Sequence, residues 1–499
     1  MTTAIPQFLI AVLILCVASL QNAQAVSPPP DGCSNFTTAQ GCNALSLLTT
    51  GSGNSGVGWY ALFSNSSGNF NTAVGGGALT LNNGDSNTAV GAAALLLNTS
   101  GTENTAVGTD AMVFNDTGSQ NSAFGTFALY SNTTGGENTT SGYEALFNNT
   151  TGNENTAIGD SALFSNTAGG DNTAIGYHAL FDNAGDLNTA TGWSALSSNT
   201  TGAANTADGL SALLNNTTGS FNTAIGERAL QSNVDGSSNT AIGVNALQSN
   251  TGGIDNTAIG ADALELSTGG DNTAIGGETL PRNTTGSSNT AIGTGALFNN
   301  VIGTANTAIG VNAGLNATGI GNVYVGANVP GTAGEVNHTY IANINTTDLS
   351  GGDSDTVTVD IKTGLLGHLN SSRRYKENIK PMDKASEALY RLKPVSYRYK
   401  KEIDKTQSRA FGLVAEEVAE VNPGLVAHNA QGQPESVHYE MVNAMLLNEF
   451  LKEHRTVQEQ GATIARQQKQ IEALTAGLQK VSAQLELSKA APQTVLNNQ

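Results

Sequence analysis

Apolar and polar positions follow three rhythms along this chain. Residues 8–20, "FLIAVLILCVASL", are apolar throughout. From residue 54 to 330 the pattern repeats every 16 or 17 residues. Its unit, N-T-A-I/V-G-x-x-A-L-x-x-N-T-T-G-x-x, starts at Asn155 and returns eight times from Asn172 to Asn306. Upstream it starts at Asn71, Asn87 and Asn104. Weaker copies begin at Asn54, Asn121, Asn138 and Asn188, and "NVYVG" at Asn322 makes 17 in all. Near the C-terminus the period becomes seven: Phe450, Val457, Ile464, Ile471, Leu478 and Leu485.

A strict short period predicts a solenoid in which each copy is one structural unit. Gly at positions 5 and 15 argues against helical copies. "NTAIG" and "xxALxx" each read as a short β-like piece, and "NTTG" supplies turn chemistry. One copy buries too little to fold alone. Stacked copies give continuous Ile and Leu columns and Asn ladders joined from rung to rung. At strand spacing, 17 rungs form a rod about 80 Å long. Asp208, in "NTADG", breaks the Ile column without an evident reason.

The first apolar run ends in a small-residue A-x-A at Ala25, so residues 1–25 read as a secretory signal peptide, although its usual basic start is missing. At 13 residues the run is short for a bilayer span, and no later segment is long and apolar enough to be one. The mature chain is expected to be secreted or held at the cell surface. Cys16 leaves with the signal; residues 26–53 form an N-terminal linker that keeps Cys33 and Cys42. In an exported protein this pair is a candidate disulfide. Interchain pairing and free thiols are the alternatives.

The seven-residue series is an a-position row that predicts a coiled coil over residues 456–487, with Val457, Ile464, Ile471, Leu478 and Leu485 as its core. Packing of this helix against its own domain is the alternative. Residues 331–370 alternate β-branched and polar residues and read as a β-rich neck. Across 371–455, Asp383 is placed to cap a helix through Leu392. "VSYRYK" reads as a strand, "AFGLVAEEVAEVNPGLV" as strand, helix, turn and strand, "AQGQ" as a hairpin turn, and the remainder as a long helix. Residues 488–499 are expected to be disordered. The fold class is mainly β: a parallel β-roll or solenoid shaft, then a small α+β domain ending in a coiled-coil helix.

Composition sharpens this picture. Gly is 59 of 499 residues and charged residues only 12%, the profile of a repetitive chain rather than a mixed α/β enzyme. Residues 1–370 hold Arg228, Arg282 and Lys362 against 25 Asp and Glu, whereas residues 371–499 hold 18 basic and 15 acidic groups. The acidic body repels nucleic acid, and its carboxylates never recur as a catalytic pair. Asp at position 17 is too sporadic for a calcium-binding roll. Only the position-2 Thr repeats faithfully, which is poor support for ice binding. No cofactor or metal site is expected.

The repeat resembles the head repeats of trimeric autotransporter adhesins, which implies a β-roll packed as a homotrimer. A cell-surface glycan or protein is then the candidate receptor, but receptor binding should require exposed aromatic or polar clusters, and the repeat shows only scattered aromatics, Trp59, Tyr60, Tyr143, Tyr177 and Trp193.

Where the charge changes, the chain reads "HLNSSRRYKENI" (368–379). Glu377 follows Arg373, Arg374 and Lys376 at once, so a nucleic-acid tail is poorly supported. Ser371 and Lys376 stand five apart. A serine needs a base, and a lysine serves once burial or neighbouring cations lower its pKa. The stretch "SSRRYKENIKPM…ALYRLKPVSYRYK…FGLVAEEVAEVNPGLV…VHYEMVNAMLLNEFLKE" resembles the intramolecular chaperone auto-processing domain of phage endosialidase tailspikes and other phage fibres. That resemblance implies trimerisation of the upstream fibre and then self-cleavage. It maps the serine onto Ser371, the lysine onto Lys376, and the scissile bond onto Asn370–Ser371. Many members carry Asp after the serine; here Ser372 stands there, which bears on which serine attacks. His368 is a further candidate base.

Overall fold

The computed structural model describes residues 36–344, 357–359, 361, 366–368, 371–429 and 431–489. The signal segment, Cys33, Asn370 and residues 490–499 lie outside the described residues. The chain divides into two units, residues 1–347 and 348–499.

The first unit is one parallel sheet of 19 three-residue strands, from β1 (Thr38–Gln40) to β19 (Thr339–Ile341). The ladder thus extends one rung beyond the 17 sequence copies at each end. Registers stay in phase, with Thr156 opposite Thr173, Ala157 opposite Ala174 and Ile158 opposite Ile175.

One rung shows why this sequence stacks. In β8 (Thr156–Ile158), side chains alternate, and Ala157 is the one that points in. It is fully buried, while Ile158 is 41% exposed. The expected Ile column therefore lies outside the rod, not in its core. The interior is filled by the Ala of the strand and by the Ala–Leu pair of the following turn, such as Ala162 and Leu163. An outward position 4 also accounts for Asp208, whose carboxylate simply faces solvent.

The second expected β piece is a turn. Ser161 and Leu163 both adopt φ 55°, and this alternation turns two consecutive residues inward, which no strand does. A left-handed Leu costs about 1–2 kcal/mol, but its N–H is held by the next rung, Leu163 N donating to Ala179 O at 3.0 Å. Gly159, at φ 135°, is required on two counts: a Cβ there would run into the Gly176 carbonyl of the next rung.

Two buried Asn ladders complete each rung. Asn155 Nδ2 donates to Asn138 Oδ1 at 3.1 Å and to Gly169 O at 2.9 Å. Asn166 Nδ2 reaches the same Gly169 O at 2.9 Å and Asn149 Oδ1 at 3.2 Å. At the C-terminal end Tyr324 replaces the small inward Ala and is fully buried, its hydroxyl donating to Glu335. Burial and this carboxylate hold the Tyr324 phenol well above its ordinary range.

In the second unit, β20 (Val357–Val359) and β21 (Leu366–His368) form an antiparallel hairpin. A 3-10 helix follows over Asp383–Arg391. Met382 occupies its cap position and makes no side-chain capping bond, so Asp383 is the first helical residue rather than the cap. Strands β22 (Val395–Tyr397) and β23 (Ala410–Gly412) pair antiparallel, as do β24 (Val426–His428) and β25 (Pro434–Val437) around helix α1 (Ala415–Val421). Helix α2 runs unbroken over Tyr439–Lys489. Among the described residues no helix is long and apolar enough to cross a membrane.

Candidate functional site

The second unit has a small core. Val418 of α1, Leu425 and Val426 before the hairpin, Val437 and Met445 are buried, with Leu389, Leu392 and Val442 packed around them. An open apolar groove of about 700 Å³ runs beside it, lined by Leu392, Val395, Phe411, Tyr439 and Leu446 among others.

The expected cleavage residues follow the β20–β21 hairpin of this unit. Ser371 is exposed and outside any element. Ser372 caps a short 3-10 turn over Arg373–Tyr375, its Oγ accepting from Arg374 N at 3.3 Å. Lys376 closes that turn, donating its N–H to Arg373 O at 3.3 Å, and its side chain is exposed. No hydrogen bond joins Ser371 to Lys376. Their five-residue spacing spans an irregular turn, and nothing among the described residues buries the lysine. Arg374 lies over the Tyr375 ring at 5.6 Å. His368 is in β21, opposite Val357.

The heptad residues Val457, Ile464, Ile471, Leu478 and Leu485 all lie on α2, each more than half exposed. Cys42 is half-buried in the turn after β1, and its expected partner Cys33 is outside the described residues. Among the described residues no group of three or more His, Cys, Asp and Glu could hold a metal ion.

One polar cluster was not visible in the sequence. Ser386 of the 3-10 helix is fully buried and donates to Glu449 of α2. Tyr390 OH donates to the other carboxylate oxygen at 2.8 Å, and Lys452 Nζ to the first at 2.6 Å. Asn448 Nδ2 donates to Ser386 Oγ at 2.7 Å. Glu449 is only 7% exposed, and Lys452, Ser386 and Tyr390 together hold its pKa down to about 2. The cluster pins the 3-10 helix to α2 and aligns the start of the long helix. Its single sequence trace is a Glu set within the apolar run Leu446, Leu447, Phe450, Leu451.

No curated protein and no solved structure matches this chain. Residues 371–427 match the model of a peptidase family described as chaperone of endosialidase, and the match begins at Ser371.

Proposed function

We propose that this chain is a secreted or surface homotrimeric fibre whose C-terminal domain drives trimerisation and folding of the rod and then releases itself at Asn370–Ser371. A solenoid shaft followed by a chaperone-of-endosialidase domain fits a fibre of the tailspike kind. The observation that carries the cleavage reading is that the family match starts at Ser371, within the second unit and after its first hairpin.

The trimer has physical support in each unit taken by itself. The rod leaves an outward face of Thr and Ile or Val, and α2 leaves its heptad row uncovered; side-by-side copies would bury both. Parallel rungs nucleate slowly and expose edges that invite aggregation. A clamp that gathers three chains first would set their register, and its removal would leave a fibre that cannot unfold by the route it folded.

In the proposed reaction Ser371 Oγ attacks the Asn370 carbonyl carbon while neutral Lys376 takes the hydroxyl proton. The C–N bond breaks as the ester C–O bond forms, and the departing nitrogen takes the proton back from the lysine ammonium. Water then hydrolyses the ester, leaving a carboxylate on Asn370 and Ser371 as a new N-terminus. Mass spectrometry of the expressed full chain tests this. A fragment beginning at Ser371, absent in Ser371→Ala and Lys376→Ala, is the expected result. An intact wild-type chain in a preparation that is trimeric by light scattering overturns it.

A second reading, a non-cleaving adhesin or structural filament that keeps the domain as a trimeriser, is favoured by one observation. In a single chain Ser371 and Lys376 are both exposed and unbonded to each other.

A further inference from the structure

The aromatic residues scattered through rungs 6–10 converge on one strip of the rod. Position 10 of four consecutive copies carries Tyr130, Phe147, Phe164 and Phe181, whose rings stack at 4.9, 5.3 and 5.0 Å between centroids. Positions 6 and 7 widen the strip: His178 lies 4.6 Å from Phe181 and 3.9 Å from Tyr177, and Trp193 stacks on Tyr177 at 6.2 Å. The strip is built from turn positions 6, 7 and 10 of each copy, not from the strand positions 2–4.

The ladder ends abruptly. The next copy carries Ser197 at position 10, so no ring of that copy stacks on Phe181, whose other ring neighbour is His178 of its own copy. Trp193, stacked on Tyr177, is 53% exposed. Ring faces carry the negative lobe of the aromatic quadrupole and attract cations, Trp most strongly. The surroundings are anionic: residues 110–193 hold nine Asp and Glu and no Lys or Arg. Glu144 and Asp160 both act on Tyr143, and Asp182 follows Phe181 directly in the chain.

The rod itself shows what such a ring accepts. Arg282, at position 11 of one copy, places its guanidinium 4.7 Å from the centroid of Phe298, the position-10 ring of the next copy. Where this chain supplies an arginine, the arginine covers the ring. In rungs 6–10 it supplies none.

We propose that the end of the ladder, at Phe181, Tyr177 and Trp193 with Asp182 and Asp160, is a docking site for an arginine-bearing segment of a partner protein. The guanidinium takes on Phe181 and Trp193 the place that Arg282 takes on Phe298, and the flanking carboxylates favour a positive partner in the approach. The site is independent of cleavage at Ser371.

Trp59 and Trp193 are the two tryptophans of the chain, so Trp59→Phe leaves Trp193 as sole reporter in the full-length protein. An octa-arginine peptide is expected to change Trp193 fluorescence saturably in 0.3 M salt, where exposed long-range attraction is largely screened. An octa-glutamine peptide is expected to bind at least tenfold more weakly. Phe181→Ser and Trp193→Leu place at each position the residue that the next copy already carries there, Ser197 and Leu210. Each keeps the fold and is expected to weaken the arginine peptide about tenfold, the first by fluorescence and the second by calorimetry. Equal binding of the glutamine peptide overturns the proposal and assigns the strip to neutral ligands. Unchanged affinity in both variants also overturns it, as does the absence of any response.

Discussion

The two units solve the same problem, covering apolar surface, in opposite ways. The rod does it within one chain. Each Ala–Leu pair is covered by the next copy, and each buried Asn is bonded along its ladder. Among the described residues only Asn245 and Asn300 leave a buried side-chain oxygen unpaired. The C-terminal unit has five buried core residues and a 51-residue helix whose apolar row faces outward. The rod needs neighbours in sequence; the other unit needs neighbours in space. The contrast teaches where assembly information resides. A repeat that pairs equally well with any copy of itself cannot fix its own register, whereas a domain left unfinished until copies meet can.

The largest effect that tests this contrast is expected from Asn155→Ala. The substitution removes donors to Asn138 Oδ1 and Gly169 O, and the oxygen that accepts from Asn172 N and Nδ2 at 3.1 Å each. Asn172 N is then buried and unpaired, while Asn138 Oδ1, Gly169 O and Asn172 Nδ2 each keep one other bond; the combined loss costs roughly 3–5 kcal/mol. Because rungs couple only to their neighbours, hydrogen exchange should quicken in the rungs around residue 155 and stay slow at both ends. Uniform loss along the rod would mean that it behaves as one cooperative block, and the contrast drawn above would fail.

The repeat, the Asn ladders and the order of C-terminal elements were all legible in the sequence, since each rests on local pattern. The direction of the Ile column was not. Ile is the larger side chain of "NTAIG" and the natural candidate for a core. The choice is made by the left-handed residues at positions 7 and 9, which bring Ala162 and Leu163 in together and leave room only for Ala157 opposite. No propensity rule puts Leu there. The aromatic ladder was hidden for a related reason: its members are 17 residues apart in sequence and adjacent only once the copies are stacked. Ser386 and Glu449 stand 63 residues apart with no repeat to align them, so only tertiary docking reveals their bond. At the junction the sequence places Ser371 and Lys376 near each other along the chain, but their approach depends on a turn that leaves both exposed.

A middle-sized effect should separate the units by pH. Glu449 has its pKa lowered to about 2 by Lys452, Ser386 and Tyr390, from the ordinary value near 4.5 that it regains on unfolding. A depressed carboxylate stabilises the fold above its unfolded pKa, and the contribution disappears as pH falls toward the folded one. The C-terminal unit should therefore weaken between about pH 4.5 and pH 2. Among the described residues all α-helix belongs to this unit, so the thermal midpoint of the helical far-ultraviolet signal reports it alone. Glu449→Gln should lower that midpoint at pH 7 and flatten its decline in acid. Ser386→Ala should cost roughly 2 kcal/mol at neutral pH, the worth of one hydrogen bond to a charged group. A wild-type midpoint that does not move across that window would remove the buried carboxylate from the account.

The smallest effect asks the sharpest question. Asp208 interrupts the outward Ile column, at a position where its carboxylate costs a single rod nothing because it faces water. In an isolated chain, Asp208→Ile should change stability by no more than about 0.5 kcal/mol, the range of ordinary surface substitutions. If three copies pack on their strand faces, as we propose, the same change removes three like charges from one level of the seam and adds three aliphatic side chains. The midpoint of the assembled protein should then rise by several degrees, and rise more at higher protein concentration, because association and stability are linked. A midpoint unchanged at every concentration would mean that the Ile face stays in solvent. The clamp at the C-terminus would then join three rods that never touch along their length.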